Sequence, residues 1–119
     1  MHFFYRNKEF FTKKDLGMCV IGGRWKISII WHLLNSTQPL RLSELEKKIP
    51  DINQRMLIRQ LRELEEDKVI ERTVYPVVPP KADYHLTPIG EDLAPVVEAI
   101  CDWSDSYYHF VEEKHQELL

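Results

Sequence analysis

The sequence predicts a mainly α-helical chain with one small β-hairpin. Three observations carry this. Apolar residues recur at helical spacing between Trp25 and Leu64, capping-box signatures stand ahead of helical stretches, and a single β-branched run meets a proline-rich turn.

The elements follow in order. Thr12-Lys13-Lys14-Asp15 matches a capping box, so a short helix is expected from about 13 to 21, stopping at Gly22-Gly23. "RWKISIIWHLLN" reads as an apolar helix with Trp25, Ile29, Ile30, Leu33 and Leu34 facing inward. Ser36 to Pro39 form a loop. Ser43-Glu44-Leu45-Glu46 is a second capping-box match and opens the short helix "SELEKKI". Pro50-Asp51-Ile52 connect it to "NQRMLIRQLRELEED", Asn53 to Asp67.

That stretch is helical, with Leu57, Leu61 and Leu64 on one face. At about 100° per residue, Arg55, Arg59 and Arg62 fall roughly opposite this seam. Its charge order is reversed. Arginines fill the first part and acids the last, whereas a helix dipole favours acids first and bases last. Arg59 with Glu63 and Arg62 with Glu66 have the i, i+4 spacing of ion pairs.

"VIERTVYPVV" then reads as a strand, Pro79-Pro80-Lys81-Ala82-Asp83 as a turn, and "DYHLT" as the returning strand. Thr87 caps a helix with Pro88 at its first position. This helical region runs to about 116, with a kink expected at Pro95, and is rich in aromatics: Trp103, Tyr107, Tyr108 and Phe110. Two helices joined by a three-residue turn, followed by a hairpin, make a winged helix-turn-helix. In that arrangement the N-terminal residues of the second helix meet base edges. The arginine stripe, interleaved with Asn53, Gln54 and Gln60, suits base and phosphate contacts.

Composition bounds the rest. The 119 residues are 44% hydrophobic and 29% charged, which fits one domain, 1–119. The net charge of −3 disfavours a nucleic-acid binder taken whole, but screening makes local clustering decisive. No apolar run is long enough to span a bilayer and no secretory signal is recognisable, so a cytoplasmic chain is expected. Cys19 and Cys101 are isolated, which suggests neither a disulfide framework nor a zinc ribbon; both are expected to be buried apolar residues. His32, His85, His109 and His115 lack ligand spacing. No catalytic motif is present, so no enzyme activity, cofactor or metal is expected.

The segments "IGGRWKISIIWHLL", "LRLSELEKKIPDINQRMLIRQLRELEEDKVIER" and "VYPVVPPKADYHLTPIGEDLAPVVEAICDW" closely resemble the HxlR family, bacterial transcription regulators related to the MarR group. The resemblance spans about Leu16 to Trp103. It implies a DNA-binding homodimer joined through its N- and C-terminal helices. A two-fold dimer demands a pseudo-palindromic operator, and a repressor is expected, although the sequence does not fix the direction of regulation. The resemblance places Asn53, Gln54 and Arg55 at the start of the recognition helix, Arg59 and Arg62 further along it, and Lys81 at the basic wing tip. The aromatics of the last helix are then a dimer core, supported by Phe3, Phe4, Tyr5, Phe10 and Phe11.

One departure stands out. Some members sense electrophiles or oxidants through a cysteine ahead of the first helix, where this chain has Phe10-Phe11-Thr12. A thiol response through Cys19, with Lys13, Lys14 and Arg24 near it, is the alternative that a small-molecule or electrophile effector would need. A dimeric winged helix that binds protein instead of DNA is the competing reading, favoured by the acidic run 63–67.

Overall fold

The computed structural model describes residues 2–118. Its order is β1 (Phe3–Tyr5), β2 (Lys8–Phe10), α1 (Lys13–Ile21), α2 (Lys26–Leu34), β3 (Leu40–Arg41), α3 (Leu42–Lys48), α4 (Gln54–Glu66), β4 (Ile70–Tyr75), β5 (Lys81–Leu86), α5 (Pro88–Glu91) and α6 (Ala94–Leu118). This is the expected winged helix-turn-helix, with two strands groups beyond the single expected hairpin.

The first addition is an N-terminal hairpin. β1 and β2 pair antiparallel in the register Phe3↔Phe10, Phe4↔Glu9 and Tyr5↔Lys8. Arg6 and Asn7 make the two-residue turn with φ of +51° and +64°. Positive φ at both central residues matches strand twist, and asparagine tolerates it better than most residues. The second addition is β3, which joins the wing as an edge strand in the order β3-β5-β4. Leu40 faces Tyr84 across it.

The helices begin and end where local chemistry puts them. Thr12 caps α1 by accepting from the Asp15 N–H at 3.3 Å. Gly23, at φ +101°, turns the chain out of α1 in a conformation that favours glycine. The cap of α3 sits earlier than expected, at Arg41 and not at Ser43. The Glu44 carboxylate accepts from the Arg41 backbone N–H at 3.1 Å, which is the return half of a capping box. The wing turn is also shifted: Lys81, Ala82 and Asp83 belong to β5, and the loop is 76–80. Pro95 does not kink a continuous helix. The break falls at Asp92-Leu93, and Pro95 occupies the first turn of α6, where a missing N–H costs nothing.

One core holds the body together. Ile29, Ile30 and Leu33 of α2, Leu45 of α3, Leu57, Leu61 and Leu64 of α4, Ile70 of β4 and Val97 of α6 are its centre. Leu57 and Leu64 are 0% exposed, so the predicted leucine seam is the face that anchors α4. Ile49 and Ile52 plug the turn between α3 and α4. Beyond Val97, the described side chains of α6 through His115 are all exposed.

A glycine ties the wing to α5. A Cβ at Gly90 would lie 2.1 Å from the Val69 carbonyl oxygen. Thr87, which caps α5 through the Gly90 N–H at 3.2 Å, donates its hydroxyl to that carbonyl at 3.0 Å. Only a residue without a side chain lets α5 sit against the chain as it leaves α4.

Candidate nucleic-acid interface

α4 presents its arginines as the sequence predicts. Asn53 caps it, its side-chain oxygen accepting from the Met56 N–H at 2.8 Å. With the leucine seam buried, Arg55, Arg59 and Arg62 are exposed together on the outer face. They line a shallow groove with Gln54 and Ile58. Ile58 was not anticipated as part of this surface. At 37% exposure it is an apolar side chain among cations, the kind that fits a thymine methyl.

The groove continues towards the wing. Arg62 and Ile58 also border a depression with Leu42, Glu65, Arg72 and Tyr84. Arg72 is a basic residue that the sequence did not lead one to expect here. The signal was available in strand alternation, because Arg72 shares a face with buried Ile70 and so continues the side of β4 that packs on α4.

The predicted contact residues differ in how free they are. Asn53 has its oxygen committed to the cap, leaving its amide N–H groups. Gln54 donates to Glu46 of α3 at 2.9 Å. Arg59 pairs with Glu63 at 3.6 Å, as its spacing predicts. Lys81 is exposed at the first position of β5, opposite Tyr75, and so stands at the base of the wing loop and not at its tip. The loop itself is apolar, with Val78 99% exposed.

The reversed charge order of α4 has a structural answer. Its terminal acids draw cations from other elements. Glu63 meets Lys26 of α2 at 2.9 Å. Asp67, the C-cap, accepts from Arg6 at 2.9 Å and from the Tyr5 hydroxyl at 2.9 Å. The expected Arg62–Glu66 pair does not form; Glu66 faces Arg6 at 4.0 Å. The helix therefore needs no bases of its own in the last turn, and Arg55 and Arg62 are left to the outer face. Hydrogen bonding to Lys26, then the charges of Lys26 and Arg59, hold the Glu63 carboxyl below the usual 4.5, against the opposing effect of burial.

Lys26 was not anticipated either. It is 7% exposed and lies one helical turn before Ile29 and Ile30, on the buried face of α2. A lysine at that spacing in an apolar helix must find an anion, and the acidic end of α4 supplies it.

The cysteines depart from expectation. Both Cys19 and Cys101 are exposed free thiols, not buried apolar residues. α1 buries no side chain, so nothing covers Cys19. Two of the three bases named beside it are engaged elsewhere: Lys14 lies 3.9 Å from Asp15, and Arg24 pairs with Asp51 at 3.2 Å while stacking on Trp25.

A family model described as HxlR-like helix-turn-helix matches residues 20–112. The chain belongs to the HxlR family. YkvN, an uncharacterized HTH-type transcriptional regulator of Bacillus subtilis, is 46% identical over 100 residues, covering 84% of this chain and 83% of its own. Among solved structures, the redox regulator HypR in its reduced form aligns with a TM-score of 0.79 at 38% identity, covering 86% of this chain and 99% of that one. Reduced YodB from B. subtilis aligns at 0.66 and 34% identity, covering 82% and 95%. The family match over 20–112 bears out the resemblance read from Leu16 to Trp103, and the winged fold is the family's. The family match begins after the N-terminal hairpin. No helix of the described residues is long and apolar enough to cross a membrane.

Proposed function

We propose that this HxlR-family chain is a transcription regulator that binds duplex DNA as a homodimer, with no catalytic step. The observation that carries the reading is the outer face of α4, where three arginines stand exposed on a helix whose opposite face is fully buried. The relatives support it, since those named above are regulators. Arg55 and Arg59, with the free donors of Asn53 and Gln54, read base edges; Arg62, Arg72 and Lys81 neutralise phosphates. In the acidic run, which favoured a protein-binding module, Glu63 meets Lys26 and Asp67 meets Arg6, so it argues for one less strongly.

Dimerisation accounts for α6. Trp103, Tyr107, Tyr108 and Phe110 are at least half exposed on the single chain, an apolar surface that a second copy would cover. A two-fold dimer then requires half-sites one or two helical turns apart. An effector would act by favouring one spacing of the two recognition helices. The exposure of Cys19 and the likeness to redox regulators favour a thiol response as the second reading. Unchanged DNA binding after diamide treatment would remove it.

The test is a binding titration against duplex DNA. Arg55→Ala is expected to lower discrimination at one operator position by about 1–3 kcal/mol. If it weakens all sequences equally, Arg55 does not read a base. Lys81→Ala is expected to reduce the slope of log K against log salt by about one. An unchanged slope would take Lys81 out of the phosphate contacts.

A further inference from the structure

The C-terminal end of α4 is held by a segment that lies outside the matched family region. The β1–β2 turn reaches Asp67 through the Arg6 guanidinium and the Tyr5 hydroxyl, each at 2.9 Å. A further Arg6 nitrogen donates to the Glu66 carbonyl oxygen, and the guanidinium also lies 4.0 Å from the Glu66 carboxylate. The Asp67 side chain is only 13% exposed as a result. Backbone N–H groups of Asp67, Lys68 and Val69 already meet the carbonyls of Glu63, Glu65 and Leu64, so what Arg6 adds is a donor for the Glu66 carbonyl and a cation at the negative end of a helix with no base in its last turn.

Two features show that the contact is specific. Arg6 sits at φ +51°, a left-handed conformation that an arginine rarely adopts, and the turn aims it at one carboxylate. Tyr5 accepts from Arg6 at 3.1 Å while donating to the same Asp67 oxygen that Arg6 reaches, so the three groups form a closed set. Asp67 is fixed from two residues at once.

We propose that the N-terminal hairpin turn is a positioning clamp on the recognition helix, with Arg6 and Tyr5 setting the pitch at which Arg55 and Arg59 enter the groove. This rests on the DNA-binding reading given above. The clamp acts at a distance because α4 is a lever. Its 13 residues span about 20 Å. A tilt of roughly 5° about the Asp67 end displaces the first turn by about 2 Å, several times the tolerance of a hydrogen bond to a base edge. The hairpin touches no predicted DNA contact, so Arg6 and Tyr5 are positioning residues and not part of the interface.

The experiment uses the full chain and a duplex selected from a randomised library with the wild-type protein. Arg6→Ala is expected to bind the selected duplex about three- to fivefold more weakly. Its affinity for random duplex and its salt slope should stay at the wild-type values. Asp67→Asn should reproduce the loss, and the double variant should be no weaker than either single one. Amide exchange over Glu65–Asp67 in the free protein should quicken in both. Undiminished affinity for the selected duplex, additive losses, or a slope reduced by about one would each overturn the clamp, the last by making Arg6 a phosphate contact. If Arg6→Ala unfolds, Tyr5→Phe carries the same test, with a smaller loss in the same direction. A wild-type chain that selects no duplex overturns the DNA-binding reading itself, and the clamp with it.

Discussion

Replacing Glu63 by alanine is expected to destabilise the fold by about 3 kcal/mol, lowering the melting temperature by roughly 10 °C. The reason lies in the unequal burial of the pair. Lys26 is 7% exposed and meets the Glu63 carboxylate at 2.9 Å. Without Glu63 its ammonium stays in the core with no counter-charge. The reverse change should be milder. Lys26→Met removes the buried charge and leaves Glu63, whose side chain is 38% exposed, facing water and Arg59. A cost under about 1.5 kcal/mol is expected there, and Lys26→Met with Glu63→Leu should return close to wild type. Equal losses for the two single variants would show that the pair is symmetric, contrary to its geometry.

The pair also sets part of the acid response. Its folded carboxyl titrates below the usual 4.5, so the unfolded chain binds the proton more readily. The stabilisation is complete above 4.5 and is lost as pH falls through the lower folded value. Glu63→Ala should flatten the decline of stability in that range. Thermal melts across pH 2 to 5 measure it, the range following from the usual carboxylate values.

Gly90→Ala is expected to cost about 3 kcal/mol or more. The added carbon would meet the Val69 backbone oxygen at 2.1 Å and its carbonyl carbon at 3.1 Å, and backbone cannot swing aside as the Leu86 methyl, also at 3.1 Å, could. Either α5 lifts away from the wing or Val69 moves, and both break the contacts of Thr87. Gly17→Ala is the control: nothing lies within 4 Å of its added carbon, and it lies within α1. That substitution should stabilise by up to about 1 kcal/mol. Urea midpoints for the two variants moving in opposite directions would support the argument, and a Gly90→Ala midpoint near wild type would refute it.

The sequence made the anchoring of α4 legible because a leucine seam at i, i+4 and i+7 has one explanation in a helix. The arginine face followed from the same wheel. What it could not show was how the acids of that helix are answered, since the answering residues lie 37 and 61 positions away, in α2 for Glu63 and in the N-terminal hairpin for Asp67. Spacing arguments reach only about one turn, which is why Arg62 was matched to Glu66 and Arg6 was overlooked. The hairpin escaped for a related reason. Its strands are three residues long and its turn has no glycine, so neither alternation nor turn chemistry announced it. β3 is shorter still, two residues that exist because β5 pairs with them. The capping signals were better guides, but α3 shows their limit: the box read as Ser43 with Glu46 is formed by Arg41 with Glu44, two residues earlier, and Glu46 accepts from Gln54 instead.

The separation of charge along α4 has a consequence for the moments before contact. The chain carries −3 overall, yet its arginine face is positive, because Glu63 and Asp67 are drawn to Lys26 and Arg6 and only Arg59 is offset by an ion pair within the helix. A polyanion therefore repels the molecule weakly as a whole and pulls on one side of it. The result is a torque. An approaching chain is turned until the arginine side leads, and collisions in other orientations separate without capture. Such a protein would drift past DNA it meets side-on and dwell where it arrives facing forward, a form of selectivity exercised before any base is read.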